Sequence, residues 1–176
     1  MSKVAFPERP VAAKEDRNQR RFYLDARIDT STTFNGKPYL LGEDNDDLTR
    51  DIGWNSDTKK NVLGNTTVSS TITEDTISND PFYSRTGDEM NMLLSHFDIN
   101  RSELDSIKRD YYEAKVDNDG ATIYAFRQVA DIKLQSVGGS AEDADNMPFE
   151  ISLSGPRVEM NYDFATEMFT AKTPTP

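Results

Sequence analysis

The sequence has no cysteine, and it has one histidine and one tryptophan among 176 residues. The absence of cysteine excludes disulfide bonds, thiolate metal ligands and a cysteine nucleophile. His96 has no second histidine with which to share a metal ion, so a metal-binding or catalytic role is not expected for it. A metal site or a nucleophile–base pair built on cysteine or histidine is therefore not expected.

Long apolar runs are also missing. No run approaches the ~20 residues that span a bilayer, and the first ten residues lack the apolar segment of a signal peptide. Hydrophobic residues make up only 35% of the chain, and the mean hydropathy is −0.72. The sequence predicts a soluble protein in which much of the chain is solvated, extended or ordered only by a partner.

Enzyme motifs are equally scarce. The chain has no G-x-S-x-G motif, no phosphate-binding G-x-x-x-x-G-K-S/T motif and no dinucleotide fingerprint. With 31 acidic residues, chance carboxylate pairs are too common to indicate a glycosidase. The Asp117–Gly120 stretch is a hairpin turn rather than a calcium loop, because Lys115 and Phe126 stand where an EF-hand needs oxygen ligands. We expect neither enzymatic activity nor a cofactor.

The formal net charge of −11 argues against tight binding of nucleic acid, which requires clustered basic residues. A simple contribution to solubility is the alternative explanation of this charge.

Residues 62–116 contain the only convincing amphipathic helix of the sequence, predicted over residues 86–98. We take the rest of the fold to be arranged around this stretch. Thr86 and Glu89 have the spacing of a capping box at the start of this helix. Four apolar residues then recur at helical spacing and predict one buried stripe: Met90, Leu93, Leu94 and Phe97.

Alternating strands occupy most of the remaining chain. Residues 22–29 alternate as a half-buried strand, and residues 121–136 form the longest alternating run. Further alternating residues follow from 147 to 153 and from 158 to 164, with a turn expected at 154–156. Six to eight strands with one helix predict a mainly β fold, an antiparallel β-sandwich or barrel carrying a flanking α-helix.

Residues 42–65 form a polar segment that we interpret as a long antiparallel ribbon. Such a ribbon is too polar to stand alone, since isolated hairpins are marginally stable in water. It either folds back on the body or lies on another chain, and Leu48, Ile52 and Trp54 are the candidate contact residues. Trp54 is suited to an interface anchor, although a tryptophan covering the domain's own core is the alternative.

The two ends differ in character from the centre. Residues 1–21 are predicted to be an N-terminal arm, either disordered or ordered against a neighbouring subunit, and residues 170–176 a C-terminal tail. A single β-sandwich domain is expected over 22–169.

The order of these segments resembles a known family. A polar strand ends in Thr71–Thr73, Asp80–Tyr83 precedes the helix beginning at Gly87, and Arg109–Val116 opens the later hairpins. Together they resemble the major tail proteins, or tail tube proteins, of long-tailed bacteriophages, especially those with non-contractile tails. The likeness is densest from Val62 to Val116 and looser as far as Phe169.

The resemblance implies a structural virion protein without catalytic residues. Its copies would form hexameric rings stacked into a tube, assembled in the host cytoplasm. Implied partners are further copies of the chain, the tape measure protein inside the tube, and the tail terminator and distal tail proteins at its ends. The tube would conduct double-stranded DNA during infection.

In this interpretation the negative charge of the protein has a role, because the inner wall of a tube that conducts DNA should repel the DNA phosphates. Screening limits the effect to acids within roughly 8 Å of the lumen at physiological salt. The candidate lumen acids are Glu43, Asp44, Asp46, Asp47, Glu142, Asp143 and Asp145.

Two other functions fit the same sequence. One is a β-sandwich binding module that recognises carbohydrate or protein through Trp54 and tyrosines. The other is the tube of a contractile injection device or type VI secretion system. If the ribbon joins adjacent rings, deletion of residues 44–60 should leave a folded protein that forms no tubes.

Overall fold

The computed structural model describes residues 19–100, 107–140 and 144–172. Strands account for 50% of the described residues and helix for 9%, which confirms a mainly β fold with a flanking helix. The strands are β1 (Arg20–Leu24), β2 (Tyr39–Leu40), β3 (Arg50–Asp51), β4 (Trp54–Lys60), β5 (Thr66–Ile72), β6 (Asp75–Asn79), β7 (Lys108–Val116), β8 (Thr122–Leu134), β9 (Phe149–Asp163) and β10 (Met168–Ala171), and the helix is α1 (Glu89–Ile99). Most of the predicted N-terminal arm and C-terminal tail lies outside the described residues.

One antiparallel sheet forms the body of the protein. Its strands lie in the order β2-β1-β7-β8-β9-β6-β3, and β10 pairs with the far end of β9. The sheet curls into a half-barrel. Its two edge strands, β2 and β3, are each only two residues long. β4 and β5 form a separate two-stranded sheet, which we call the ribbon.

The central strands of the sheet are buried on both faces. One face carries the larger core, which includes Tyr111, Phe149 and the apolar side of α1. The other face carries a smaller aromatic cluster built around Tyr23, Tyr112 and Tyr162. The prediction of a half-buried first strand is therefore wrong, because both parities of β1 are covered.

α1 packs its predicted apolar stripe into the larger core. The structure buries all four stripe residues: Met90, Leu93, Leu94 and Phe97. The helix begins later than the sequence suggests, because Gly87 has a positive φ of 84° that is not helical. Asp88 is the N-cap, and its carboxylate accepts a 2.8 Å hydrogen bond from the Asn91 backbone N–H. The predicted Thr86 capping box is therefore wrong.

The turn expected at 154–156 is also absent, because β9 continues through it. Val129 of β8 pairs with Ser154, whereas Arg127 pairs with Val158, so β9 has extra residues between them. Gly155 has a φ of 72°, which supplies the local kink of a β-bulge. The Gly-Pro pair therefore bends one long strand instead of separating two.

The ribbon spans 54–72 rather than 42–65. The preceding residues belong to the body, since β3 pairs with β6 and Leu48 is only 4% exposed. Residues 61–65, which we expected to extend a strand, form the turn between β4 and β5. The threonine-rich run from 66 to 72 is the second strand of the ribbon.

Candidate functional site

The ribbon is the most exposed ordered element of the protein. Every residue of β4 and of β5 is exposed, although the two strands pair over their full length from Trp54–Ile72 to Lys60–Thr66. Strand pairing satisfies the backbone, but no core covers the side chains. A two-stranded ribbon of this kind is marginal in water without further contacts.

The two faces of the ribbon differ in chemistry. Alternation places Trp54, Val68 and Ile72 on one face, because Trp54 pairs with Ile72 and Thr58 pairs with Val68. The opposite face carries only polar residues such as Asn55, Asp57 and Lys59. Trp54 is 64% exposed, so it does not cover the domain's own core. The face with Trp54 therefore carries three exposed apolar side chains among polar ones, and Trp54 and Ile72 lie directly opposite each other at the base of the ribbon.

The ribbon ends in a well-formed turn. The Asn61 side-chain oxygen accepts hydrogen bonds from the backbone N–H groups of Leu63 at 3.0 Å and Asn65 at 2.9 Å. Gly64 adopts the positive φ of 82° that the turn requires. The apolar side chains of Val62 and Leu63 project from this turn, at 104% and 82% of their reference exposure. We call these two residues the ribbon tip.

At its base the ribbon is closed by a tight backbone contact. The Thr73 backbone N–H donates a 2.7 Å hydrogen bond to the Gly53 carbonyl. A methyl group on Gly53 would lie 2.5 Å from the Glu74 carbonyl oxygen, so only glycine fits this approach. The two chain segments therefore pass close to each other where the ribbon joins the body, and we call this contact the crossing.

A network of charges around the buried Asp75 holds the strands on both sides of this crossing. Arg50 in β3 precedes the ribbon and donates to Asp75 in β6, which follows it. Arg157 in β9 donates to the same carboxylate at 2.8 Å. Arg50 also lies 3.0 Å from Glu113 in β7, measured from its Nε to Oε2. This network connects both ends of the ribbon to the centre of the half-barrel.

Glu113 is fully buried, and its carboxyl oxygens accept hydrogen bonds from two tyrosines. The hydroxyl of Tyr111 donates to it at 2.9 Å and that of Tyr124 at 2.7 Å. Burial, and then the hydrogen bond to Glu113, raises the pKa of Tyr124 to about 12. Burial works against the charge of Arg50, yet Glu113 and its other neighbours raise the pKa of Arg50. A buried charge persists only with such pairing.

The two predicted acidic loops meet on the segment from Tyr83 to Arg85. Arg85 pairs with Glu43 and Asp44, and Ser84 donates a 2.8 Å hydrogen bond to Asp145. These contacts offset part of the acidity of both loops. Among the other candidate lumen acids, Asp46 and Asp47 are exposed, whereas Glu142 and Asp143 lie outside the described residues.

The candidate contact residues separate into two environments. Leu48 is buried in the larger core, whereas Ile52 and Trp54 are exposed at the base of the ribbon. The sequence interpretation missed Val62, Leu63 and the buried charge network. Glu113 alternates with Tyr112 and Ala114 along β7, and the structure buries all three. Apolar residues on both parities of 111–116 were the available signal that both faces are covered.

No other kind of site stands out in the part of the chain that the structure describes. It contains no group of three acidic or histidine residues that could hold a metal ion. Its helix is too short and too polar to cross a bilayer. A platform of tyrosines beside Trp54 is also missing, since Tyr83 is the only exposed tyrosine of the seven.

Comparison with protein-family models gives no match for this chain, and comparison with curated proteins gives none either.

Proposed function

We propose that the protein is a structural subunit that assembles with its own copies into stacked rings, as the tail tube of a long-tailed bacteriophage. The observation that carries this proposal is the ribbon, a regular strand pair whose side chains are all exposed and which carries Trp54, Val68 and Ile72 on one face. A single copy leaves this surface uncovered. A neighbouring copy would cover it and supply the contacts that an isolated ribbon lacks.

The edges of the half-barrel leave the ribbon as the main surface for assembly. The edge strands β2 and β3 pair over only two residues each, and such short edge strands limit further edge-to-edge pairing of the sheet. Head-to-tail contacts between identical subunits give a ring when the rotation closes and an open polymer when it does not.

The structure allows a sharper deletion than residues 44–60, which would remove the core residue Leu48 and Arg50 of the charge network. Because Gly53 and Thr73 are hydrogen-bonded, residues 54–72 can be replaced by an Asn-Gly turn. We expect this variant to remain folded by circular dichroism. The wild type should form rings and tubes in negative-stain images, and the variant should form no stacked tubes.

Two results would contradict the proposal. Normal tubes from the deletion variant would remove the ribbon from the contact between rings. A wild type that sediments as a monomer at every concentration would refute self-assembly itself and favour a binding module.

The net charge of −11 suggests a lumen that repels double-stranded DNA. Asp46 and Asp47 are the acids to test, because Glu43 and Asp44 pair with Arg85. Replacing both with lysine should make assembled tubes retain DNA in a salt-dependent manner. Unchanged DNA retention would place these two acids away from the lumen.

A further inference from the structure

An asparagine–glycine pair, Asn35-Gly36, lies in the loop between β1 and β2. Both residues are exposed, and the loop around them contains no helix or strand. Among the described residues, neither the side-chain amide of Asn35 nor the backbone N–H of Gly36 has a hydrogen-bond partner. A methyl group placed on Gly36 would meet only the Phe34 ring, at 3.5 Å. The backbone nitrogen of Gly36 is therefore exposed and unhindered.

Asparagine followed by glycine can react without an enzyme. The Gly36 nitrogen gives up its proton and attacks the side-chain carbonyl carbon of Asn35, so that a new carbon–nitrogen bond closes a succinimide ring. The bond from this carbon to the side-chain nitrogen breaks, and that nitrogen leaves with a proton as ammonia. Water then opens the ring at either of its two carbonyls, which leaves aspartate or isoaspartate. Glycine favours the attack because it has no side chain to shield the nitrogen.

Asn118 is the contrasting asparagine of the structure. It is also exposed in a turn, but Asp119 follows it instead of glycine. The backbone N–H of Asp119 donates a 3.0 Å hydrogen bond to the carboxylate of Asp117. This hydrogen bond occupies the nitrogen that would attack, and the Asp119 side chain hinders its approach. Exposure is therefore shared by the two asparagines, whereas an available nitrogen is found only beside Asn35.

We propose that Asn35 is a site of spontaneous deamidation in the folded protein. The reaction falls between two anchored residues: Phe34, whose ring centroid lies 5.9 Å from that of Tyr112, and Lys37, which pairs with Glu167. Isoaspartate adds one methylene group to the backbone between these anchors, so the loop must rearrange. Either product also adds a negative charge beside Lys37, in a chain whose net charge is already −11. This site goes beyond the proposed assembly and does not depend on it.

Peptide mass spectrometry of the full-length protein tests the site. The folded wild type is incubated in mildly alkaline buffer and then digested with trypsin, which leaves peptide 28–50 intact because Pro38 blocks cleavage after Lys37. We expect this peptide to gain about 1 Da with time, and fragmentation to place the gain at Asn35 and not at Asn45. Peptide 116–127, which contains Asn118, should keep its mass. Acidic buffer should slow the reaction, because the attacking nitrogen must lose its proton.

Two comparisons decide whether the folded loop permits the assigned reaction. Gly36→Ala retains Asn35 but shields the nitrogen, and its methyl group fits the open space, so the variant should fold and lose most of the mass gain. Equal conversion of this variant and the wild type would overturn the proposal. So would an unmodified Asn35 in the folded wild type when the same chain converts in urea, because the fold would then protect it. Conversion in a wild type that stays monomeric would support this site and refute only the proposed assembly.

Discussion

The β7–β8 hairpin and the ribbon share one backbone design but lie in opposite environments. Both are antiparallel pairs joined by a turn that contains asparagine and glycine. β7 is buried on both faces, whereas every residue of β4 and β5 is exposed. Backbone hydrogen bonding therefore does not distinguish the two strand pairs. They differ in whether other parts of the protein pack on their side chains.

Composition explains the difference. β7 and β8 carry aromatic and aliphatic residues on both parities, so both of their faces pack against other apolar residues. The ribbon is made mainly of serine, threonine, asparagine and lysine. Burying these side chains without hydrogen-bond partners would cost free energy. The comparison shows that a sequence can form a regular strand pair and still leave it for another molecule to cover.

The largest effect should come from the buried charge in the body. Glu113→Ala removes the carboxylate that faces Arg50, and it leaves an arginine only 12% exposed without this partner. We expect the free energy of unfolding to fall by about 3–5 kcal/mol, because Arg50 keeps only Asp75 as a partner and the hydroxyls of Tyr111 and Tyr124 lose their acceptor. Urea denaturation measures this loss.

Asp57→Ala is the matched control in the ribbon. Asp57 lies 3.6 Å from Lys59 in a pair whose side chains are 65% and 82% exposed. Solvent screens such a pair, so the change should stay within about 0.5 kcal/mol. Equal losses for the two variants would abolish the distinction between body and ribbon.

A middle-sized effect is expected where the two regions join. Gly53→Ala brings a methyl group against the Glu74 carbonyl, so the crossing must shift. We expect a loss of about 1–3 kcal/mol in stability together with weaker tube formation. Gly36→Ala is the control, because its methyl group would meet only the Phe34 ring at 3.5 Å. Equal tube yields from both variants would show that the crossing does not position the ribbon.

Alkaline pH should affect the body through Tyr124, and the ribbon contains no tyrosine. The pKa of Tyr124 is about 12 in the folded protein, above its ordinary value of about 10. The unfolded chain loses this proton first, so stability present below about pH 10 is lost as the pH rises toward 12. Partial exposure keeps the effect small.

Thermal unfolding at several pH values measures the contribution of Tyr124. Tyr124→Phe should show a shallower fall in melting temperature above about pH 10, since it cannot ionise. Parallel curves for the wild type and the variant would contradict the assignment.

The smallest effect on folding should come from Trp54. Its side chain is exposed, so Trp54→Ala should change the free energy of unfolding by less than about 0.5 kcal/mol. Assembly should nevertheless weaken, because aromatic anchors carry much of the energy of interfaces. Phe149→Ala is the contrasting variant, with an expected loss of about 3–5 kcal/mol from the core. Unchanged assembly of Trp54→Ala would exclude Trp54 from the contact.

Local patterns predicted the elements more accurately than their surroundings. The apolar spacing from Met90 to Phe97 marked α1 because helical periodicity depends only on neighbours in the chain. The start of α1 was misplaced because Thr86 and Asp88 are both good caps, and the positive φ of Gly87 decides between them. The Gly155-Pro156 pair was read as a turn because a bulge and a turn use the same residues.

The sequence by itself determined the chemical character of each segment: a mainly β chain, one amphipathic helix, and a polar stretch unable to form a core. Tertiary structure alone decided that β7 is covered on two faces and that Arg50 meets Asp75 and Glu113. The physical reason is that alternation reports which side chains share a face. What covers that face depends on strands distant in sequence, and their positions are set only by the completed sheet.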